Sequence, residues 1–142
     1  MELILDPTDL AAVRNKDLLL ALYDEMINGK EPLKAVRKYL VPEYVQHNPR
    51  LATTADGTGE AFEQRVLSNP DLRVEVHRVI AVGDYVWAHV NFVNIYSNEP
   101  DDRGIAGVDI FKFDVDGKIV EHWDVLQPVV DPAEAANDNG MF

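Results

Sequence analysis

The segment GKIVEHWDVLQP, residues 117–128, reads as a strand with an imidazole and a carboxylate at its centre. His122 and Asp124 are two positions apart, so an extended chain projects both to one face and Trp123 to the other. A carboxylate on a covered face is costly unless something compensates it. Desolvation in an apolar pocket raises a carboxylate's pKa toward the range where it takes and returns a proton near neutrality. A neighbouring imidazole can polarise a carbonyl or orient the acid. Together they suit proton abstraction next to a carbonyl, the first step of an aldol closure or a double-bond shift.

Parity extends the set. Val120, His122, Asp124 and Leu126 share one face of their strand; Gly107, Asp109, Phe111 and Phe113 share one face of the strand before it. In the long strand that follows Gly83-Asp84, Tyr85, Trp87, His89, Asn91 and Val93 go together. If all three sets line the helix-covered side, Trp87, His89, Asn91, Asp109 and Phe111 surround a pocket for a small hydrophobic molecule. This choice of face rests on its combining aromatic bulk with converging ionisable groups. Plainer roles exist for each residue. His89 can be a satisfied core histidine, and Asp109 can accept hydrogen bonds from a neighbouring element. His122 and Asp124 can face solvent with Trp123 as the core anchor, His77 can be solvated, and His47 can cap a turn.

Other chemistries fall away. Ser68 and Ser97 are the only serines, both beside Asn in turn sequences, and no G-x-S-x-G elbow occurs. Gly57-Thr58-Gly59 is far short of a phosphate-binding fingerprint. Lys112 and Lys118 lie on the wrong face or in a turn for an imine. His122-Trp123-Asp124 matches half of a two-histidine, one-carboxylate iron site, which His47 or His89 would have to complete in space. A metal-dependent enzyme is therefore a third reading. The leading one needs neither metal nor cofactor.

Composition sets the class. The chain has 142 residues, 46% of them hydrophobic, enough for one globular domain over residues 1–142. With no cysteine, disulfides, thiolate metal sites and cysteine nucleophiles are excluded. The formal charge of −12, from 25 acids and 13 bases, disfavours a nucleic-acid partner. MELILDPTDL is no signal peptide, and no window approaches the ~20 apolar residues of a membrane span. The expected location is cytoplasmic.

The elements that must position these groups are helices first and a sheet afterwards. Leu18, Ala21, Leu22 and Met26 recur at helical spacing from Asn15 onward, with Asn28-Gly29 as the stop and an earlier start available at Asp6-Pro7-Thr8-Asp9. Pro32 opens a short second helix that Pro42 ends, and Thr58 caps a third that stops at Ser68-Asn69-Pro70. Strands are predicted over 72–82, 85–96, 104–115 and 118–128, with Gly83-Asp84 and Asp116-Gly117 as turns. Residues 129–142 form an irregular tail. This is an α+β order. Both faces of the strands are apolar, so the face without helices needs a cover, and a twofold homodimer supplies one.

The same residues carry a family resemblance. YVQHNP (44–49), VDIFKF (108–113), DGKIVEHWDVLQP (116–128) and ANDNGMF (136–142) resemble the SnoaL-like polyketide cyclases, in particular a predicted aldol-condensation group, within the nuclear transport factor 2-like superfamily. The resemblance runs over nearly the whole chain. It implies a cone-shaped barrel in which N-terminal helices pack on a curved antiparallel sheet and close a deep cavity. It also implies a homodimer. By motif, the general acid/base falls on Asp124 with His122 beside it, and His47 approaches the cavity mouth; Tyr44, in the same motif as His47, joins the ligand-binding set. The expectation is a cofactor-independent cyclase, isomerase or aldol-type enzyme acting on a small hydrophobic carbonyl compound. The alternative is a binding module of the same fold without chemistry.

Overall fold

A computed structural model describes residues 1–142. Three helices pack on one face of a curved, unclosed six-stranded sheet. The elements are β1 (Glu2–Leu5), α1 (Leu10–Tyr23), α2 (Pro32–Tyr39), β2 (Leu40–Gln46), α3 (Ala55–Ser68), β3 (Arg73–Val82), β4 (Tyr85–Val93), β5 (Ile105–Phe113) and β6 (Ile119–Pro128). No helix is long and apolar enough to cross a membrane.

Local chemistry sets the helix ends. Asp9 caps α1 by accepting from the Ala12 amide at 3.0 Å, and its other oxygen accepts from the Gly83 amide at 2.8 Å. The earlier of the two possible starts is the real one. Past Tyr23 the helix widens into a π turn over Asp24–Asn28. Pro32 opens α2 as expected. α3 starts a turn before Thr58: Thr54 is the cap, accepting from the Gly57 amide at 3.1 Å, and Thr58 is a buried helical residue.

The sheet order is β1-β3-β4-β5-β6-β2. The four central strands are the predicted ones, and they run antiparallel. Both edges are additions to the sequence reading, and both are parallel to their neighbours: β1 on β3 and β2 on β6. β2 contains Pro42, which an edge strand tolerates because one side of its backbone needs no partner. After Pro128 the chain is irregular, and Phe142 returns to stack on His77 with ring centroids 4.2 Å apart.

Register decides what faces the helices. Asp109 is paired with Asp124, Phe111 with His122 and Gly107 with Leu126, so these share the covered face as parity predicts. Val120 does not join them, because a register shift beside Phe113 places Ile119 inward instead. On β4 the inward set is Val86, Ala88, Val90 and Phe92, all buried, with Ala88 opposite Asp109 and Val86 opposite Phe111. Trp87, His89 and Asn91 therefore lie on the other face, contrary to expectation. The core below the helices is built from small and β-branched side chains that pack closely. The indole is left on the open side, 46% exposed.

α2 and α3 approach so closely that Gly59 has no room for a side chain. A Cβ there would lie 2.6 Å from Val36 Cγ2 and 3.1 Å from Leu33 Cδ2. Gly59→Ala is expected to lower stability by about 1–3 kcal/mol despite the better helix propensity of alanine. Urea unfolding of the two proteins measures it, and an unchanged midpoint would show that the helices can separate freely.

Candidate active site

The site begins with β5 and β6. Their register sets Asp109 and Asp124 directly opposite one another, with His122, opposite Phe111, in the next pair on the same face. Like charges in that position repel, and here each carboxylate has its own hydrogen-bond partners. The Tyr23 hydroxyl, from the end of α1, donates to Asp109 Oδ2. His122 Nε2 lies 3.3 Å from Asp109 Oδ1. Asn48 Nδ2 donates to Asp124 Oδ2 at 2.5 Å. Asp109 and His122 are buried and Asp124 is half-buried.

β2 fixes the polarity of this network. Gln46 Oε1 accepts from the Asn48 amide at 2.9 Å, which orients the side-chain amide. The same oxygen lies 2.8 Å from His122 Nδ1, so the imidazole carries a proton on Nδ1 and donates it to Gln46. Gln46 Nε2 in turn donates to the Tyr44 hydroxyl at 3.0 Å. Tyr44 thus receives a hydrogen bond, and its own hydrogen is free to point into the cavity. Asn48 is oriented too, because its Oδ1 accepts from the Arg50 amide at 2.9 Å.

Burial, followed by the Asp109 charge, pushes the Tyr23 hydroxyl well above the ordinary phenol value of 10.0. Burial, then Asp109 and Asp124, pushes Tyr44 up as well. Both phenols stay neutral donors throughout the physiological range.

These groups line a cavity of about 50 Å³ whose other walls are apolar, among them Leu22, Met26, Ile27, Phe62, Phe92 and Phe111. Beside it lies a cleft of about 390 Å³ walled by Pro49, Arg50, Ile105 and Pro128. Asn48, Tyr96, Asp124 and Leu126 belong to both, so Asp124 sits where the interior meets the cleft. One water needs ~10–15 Å³ on such a measure, so the inner space holds a few waters or one end of a ligand.

Of the residues singled out in the sequence, Tyr44, Asp109, Phe111, His122 and Asp124 meet in this cavity. His47 does not. Gln46 and Asn48 take the inward positions, and the residue between them turns outward. There its ring stacks on Trp123 at 4.8 Å and its Nε2 lies 2.9 Å from Glu121 Oε1. His89 lies on the far face, with Nδ1 3.0 Å from Arg78 Nη1. Asn91, opposite Ala106, is buried on that far face and donates to the Arg103 carbonyl at 3.0 Å. Trp87 is on that face as well.

The metal reading loses its support with these placements. Asp109, His122 and Asp124 bring donor atoms within 4.8 Å of one another. The second histidine it required, His47 or His89, is elsewhere. Tyr23, Gln46 and Asn48 were missed. Gln46 and Asn48 continue the alternation begun by Tyr44, a pattern visible once 40–46 is read as a strand. Tyr23 lies within the apolar stripe of α1, and nothing in the sequence separates a core phenol from a site phenol.

A helix-covered curved sheet with a carboxylate–imidazole cluster in its apolar interior is a small-molecule pocket fold of the α+β class. Comparison narrows this. The SnoaL-like domain family matches residues 14–122, and the chain belongs to that family. Among solved structures, a candidate polyketide cyclase from Bacillus cereus superposes with a TM-score of 0.71 at 21% identity, over 88% of this chain and 83% of the other. An NTF2-like protein of unknown function from Mesorhizobium loti gives 0.67 at 16% identity, over 89% and 99%. A candidate SnoaL-like polyketide cyclase from Jannaschia gives 0.63 at 19% identity, over 82% and 88%. Identities this low carry the fold and not the reaction. No curated protein matches the chain.

The two raised phenols make a prediction for alkaline pH. A group whose native pKa lies above its unfolded value of 10.0 binds its proton more tightly when folded. The stability it contributes is complete below that value and is lost as pH rises beyond it. Spectrophotometric titration should show that Tyr23 and Tyr44 ionise only as the fold is lost, whereas Tyr39, also raised by burial, is outside the site and unaffected by changes there. Two fewer late-titrating phenols in the Tyr23→Phe, Tyr44→Phe double variant identify them. Early ionisation of all five tyrosines would contradict the burial.

Proposed function

We propose that the protein is a cofactor-independent acid–base enzyme that removes a proton next to the carbonyl of a small, largely hydrophobic compound. The observation that carries this reading is the position of Asp124. One of its oxygens is held by Asn48, the other is unpaired, and the side chain stands where the inner cavity meets the cleft. Asp124 takes the proton. The free hydrogen of Tyr44 donates to the substrate oxygen as negative charge develops there. His122 is a positioning residue, aligning Tyr44 through Gln46 while its other nitrogen faces Asp109. The carbonyl end enters the inner cavity and the remainder lies in the cleft. Cyclisation, aldol and isomerisation chemistry share this first step.

Exchange of the α-proton for deuterium, followed by NMR on aryl ketones and their oxo esters, reads the step directly. Asp124→Asn is expected to slow exchange ~10²–10⁴-fold with the fold intact. Tyr44→Phe should slow it by about 10²-fold. Full exchange in Asp124→Asn would remove the assignment. A wild-type chain that binds such compounds but exchanges nothing would be a ligand-binding module of the same fold.

The assembly proposed is a homodimer through the uncovered sheet face. Ile80, Trp87 and Val125 are exposed there, and a second copy would cover them. Light scattering at micromolar concentration should give twice the chain mass, and Trp87→Arg should halve it. A monomeric wild type would dismiss the dimer.

A further inference from the structure

The rim of the site carries positive charge without a carboxylate partner, in a strongly acidic chain. In a molecule of formal charge −12, most arginines have a carboxylate partner: Arg37 with Asp56, Arg73 with Glu75, Arg78 with Glu2 and Arg103 with Asp131. Arg14 donates to Asn15 and to the Val115 carbonyl. Arg50 and Arg65 form no ion pair, and the polar atom their guanidiniums face is the Tyr96 hydroxyl. Both lie over one ring, that of Tyr96, at 5.5 Å and 5.0 Å from its centroid. Arg50 comes from the loop before α3 and Arg65 from the last turn of that helix.

Their location gives the pair a meaning. Arg65 is in the wall of the inner cavity, Arg50 in the wall of the cleft, and Tyr96 in both. Two guanidiniums gathered around one ring repel each other, and among 25 acidic residues none neutralises them. The Tyr96 hydroxyl registers the result. Burial pushes its pKa up, but Arg65 and Arg50 outweigh burial and hold it below the ordinary phenol value. Arg65 is the one Lys or Arg in the wall of the inner cavity, and together with Arg50 it makes this rim the place where an anion would be held.

We propose that Arg50 and Arg65 bind a carboxylate of the ligand, which makes the compound handled at this site a hydrophobic oxo acid. The Tyr96 ring is the platform that aims both guanidiniums, whose planar forks match a carboxylate. Asp124 shares the cleft wall and repels the same carboxylate, so the anionic end stays at the rim and the carbonyl end turns inward. That orientation delivers the carbonyl to Tyr44. The word substrate rests on the acid–base reading above; the anion site does not.

Calorimetric binding of β-benzoylpropionate and of its methyl ester to the full chain tests the proposal. The acid is expected to bind at least about tenfold more tightly than the ester, as charge-assisted hydrogen bonds allow. Salt should shrink that preference. Arg50→Gln and Arg65→Gln should each remove most of it, with unchanged circular dichroism, and Arg65→Lys should restore part of it. Asp124→Asn should keep the preference or enlarge it. Equal affinity for acid and ester, no binding of the acid at millimolar concentration, or a preference that survives both arginine changes would overturn the proposal. A clear acid preference without any α-proton exchange would support the anion site while refuting the acid–base reading.

Discussion

Two carboxylates face each other across neighbouring strands beneath a layer of helices, and much of the fold answers that placement. Asp109 and Asp124 occupy a cross-strand pair, where side chains stand about as close as a sheet allows. In an apolar interior such a pair is tolerable only if neutral donors converge on it. They come from separate parts of the chain, Tyr23 from the end of α1 and Asn48 from the loop after β2, while His122 of β6 sets a ring nitrogen against Asp109. The consequence is a coupling between layers. α1 must cross the sheet where Tyr23 reaches Asp109, and β2 must dock on β6 in the register that pairs Gln46 with His122. An edge strand interrupted by proline is held in place partly by this polar chain. The site and the sheet edge are one structure.

How much of this was legible in the sequence follows from the same geometry. Alternation within β5 and β6 placed Asp109, His122 and Asp124 on one face, because parity inside a strand needs no knowledge of its neighbours. β4 was different. Val86, Ala88, Val90 and Phe92 make one wholly apolar parity, the aromatic bulk of Tyr85 and Trp87 on the other competes with it, and register against β5 decides between them. Val86, Ala88 and Val90 won the inner face because their small side chains fit under the helices, and Trp87 did not. His47 failed for a related reason. In QHNP the histidine draws attention, yet the strand ending at Gln46 sends residues 46 and 48 inward and 47 outward. Edge strands β1 and β2 were missed because short parallel edges, one containing a proline, leave weak alternation. The role of Tyr23 depended on long-range packing and left no local trace.

The polarity of the site runs in one direction. Deep inside, phenols kept neutral by burial offer hydrogen bonds; at the boundary stand Asp124 and Tyr96, with Arg65 on the cavity side of that ring and Arg50 on the cleft side. This gradient is opposite to the charge of the whole molecule, which is strongly acidic. A field of that shape orients a ligand more than it holds one, since each wrong orientation sets like charges together. The superposed structures share the fold at 16–21% identity and say nothing of this arrangement. The chemistry has to be argued from the residues.

The size of the inner cavity constrains that chemistry further. About 50 Å³ admits a carbonyl group and the carbon beside it, with little accompanying water. A hydrogen bond from Tyr44 to an oxygen in so dry a space is stronger than the same contact in solvent. Its donor is already aligned, because Gln46 and His122 fix the hydroxyl from behind, so little reorganisation is needed as charge builds on the oxygen. A wider cavity would admit water to compete for that oxygen and for Asp124. The close packing of Leu22, Phe62 and Phe92 around the polar cluster therefore serves the core and the proposed reaction by the same physical means. Enlarging the pocket for a bulkier compound would weaken both together.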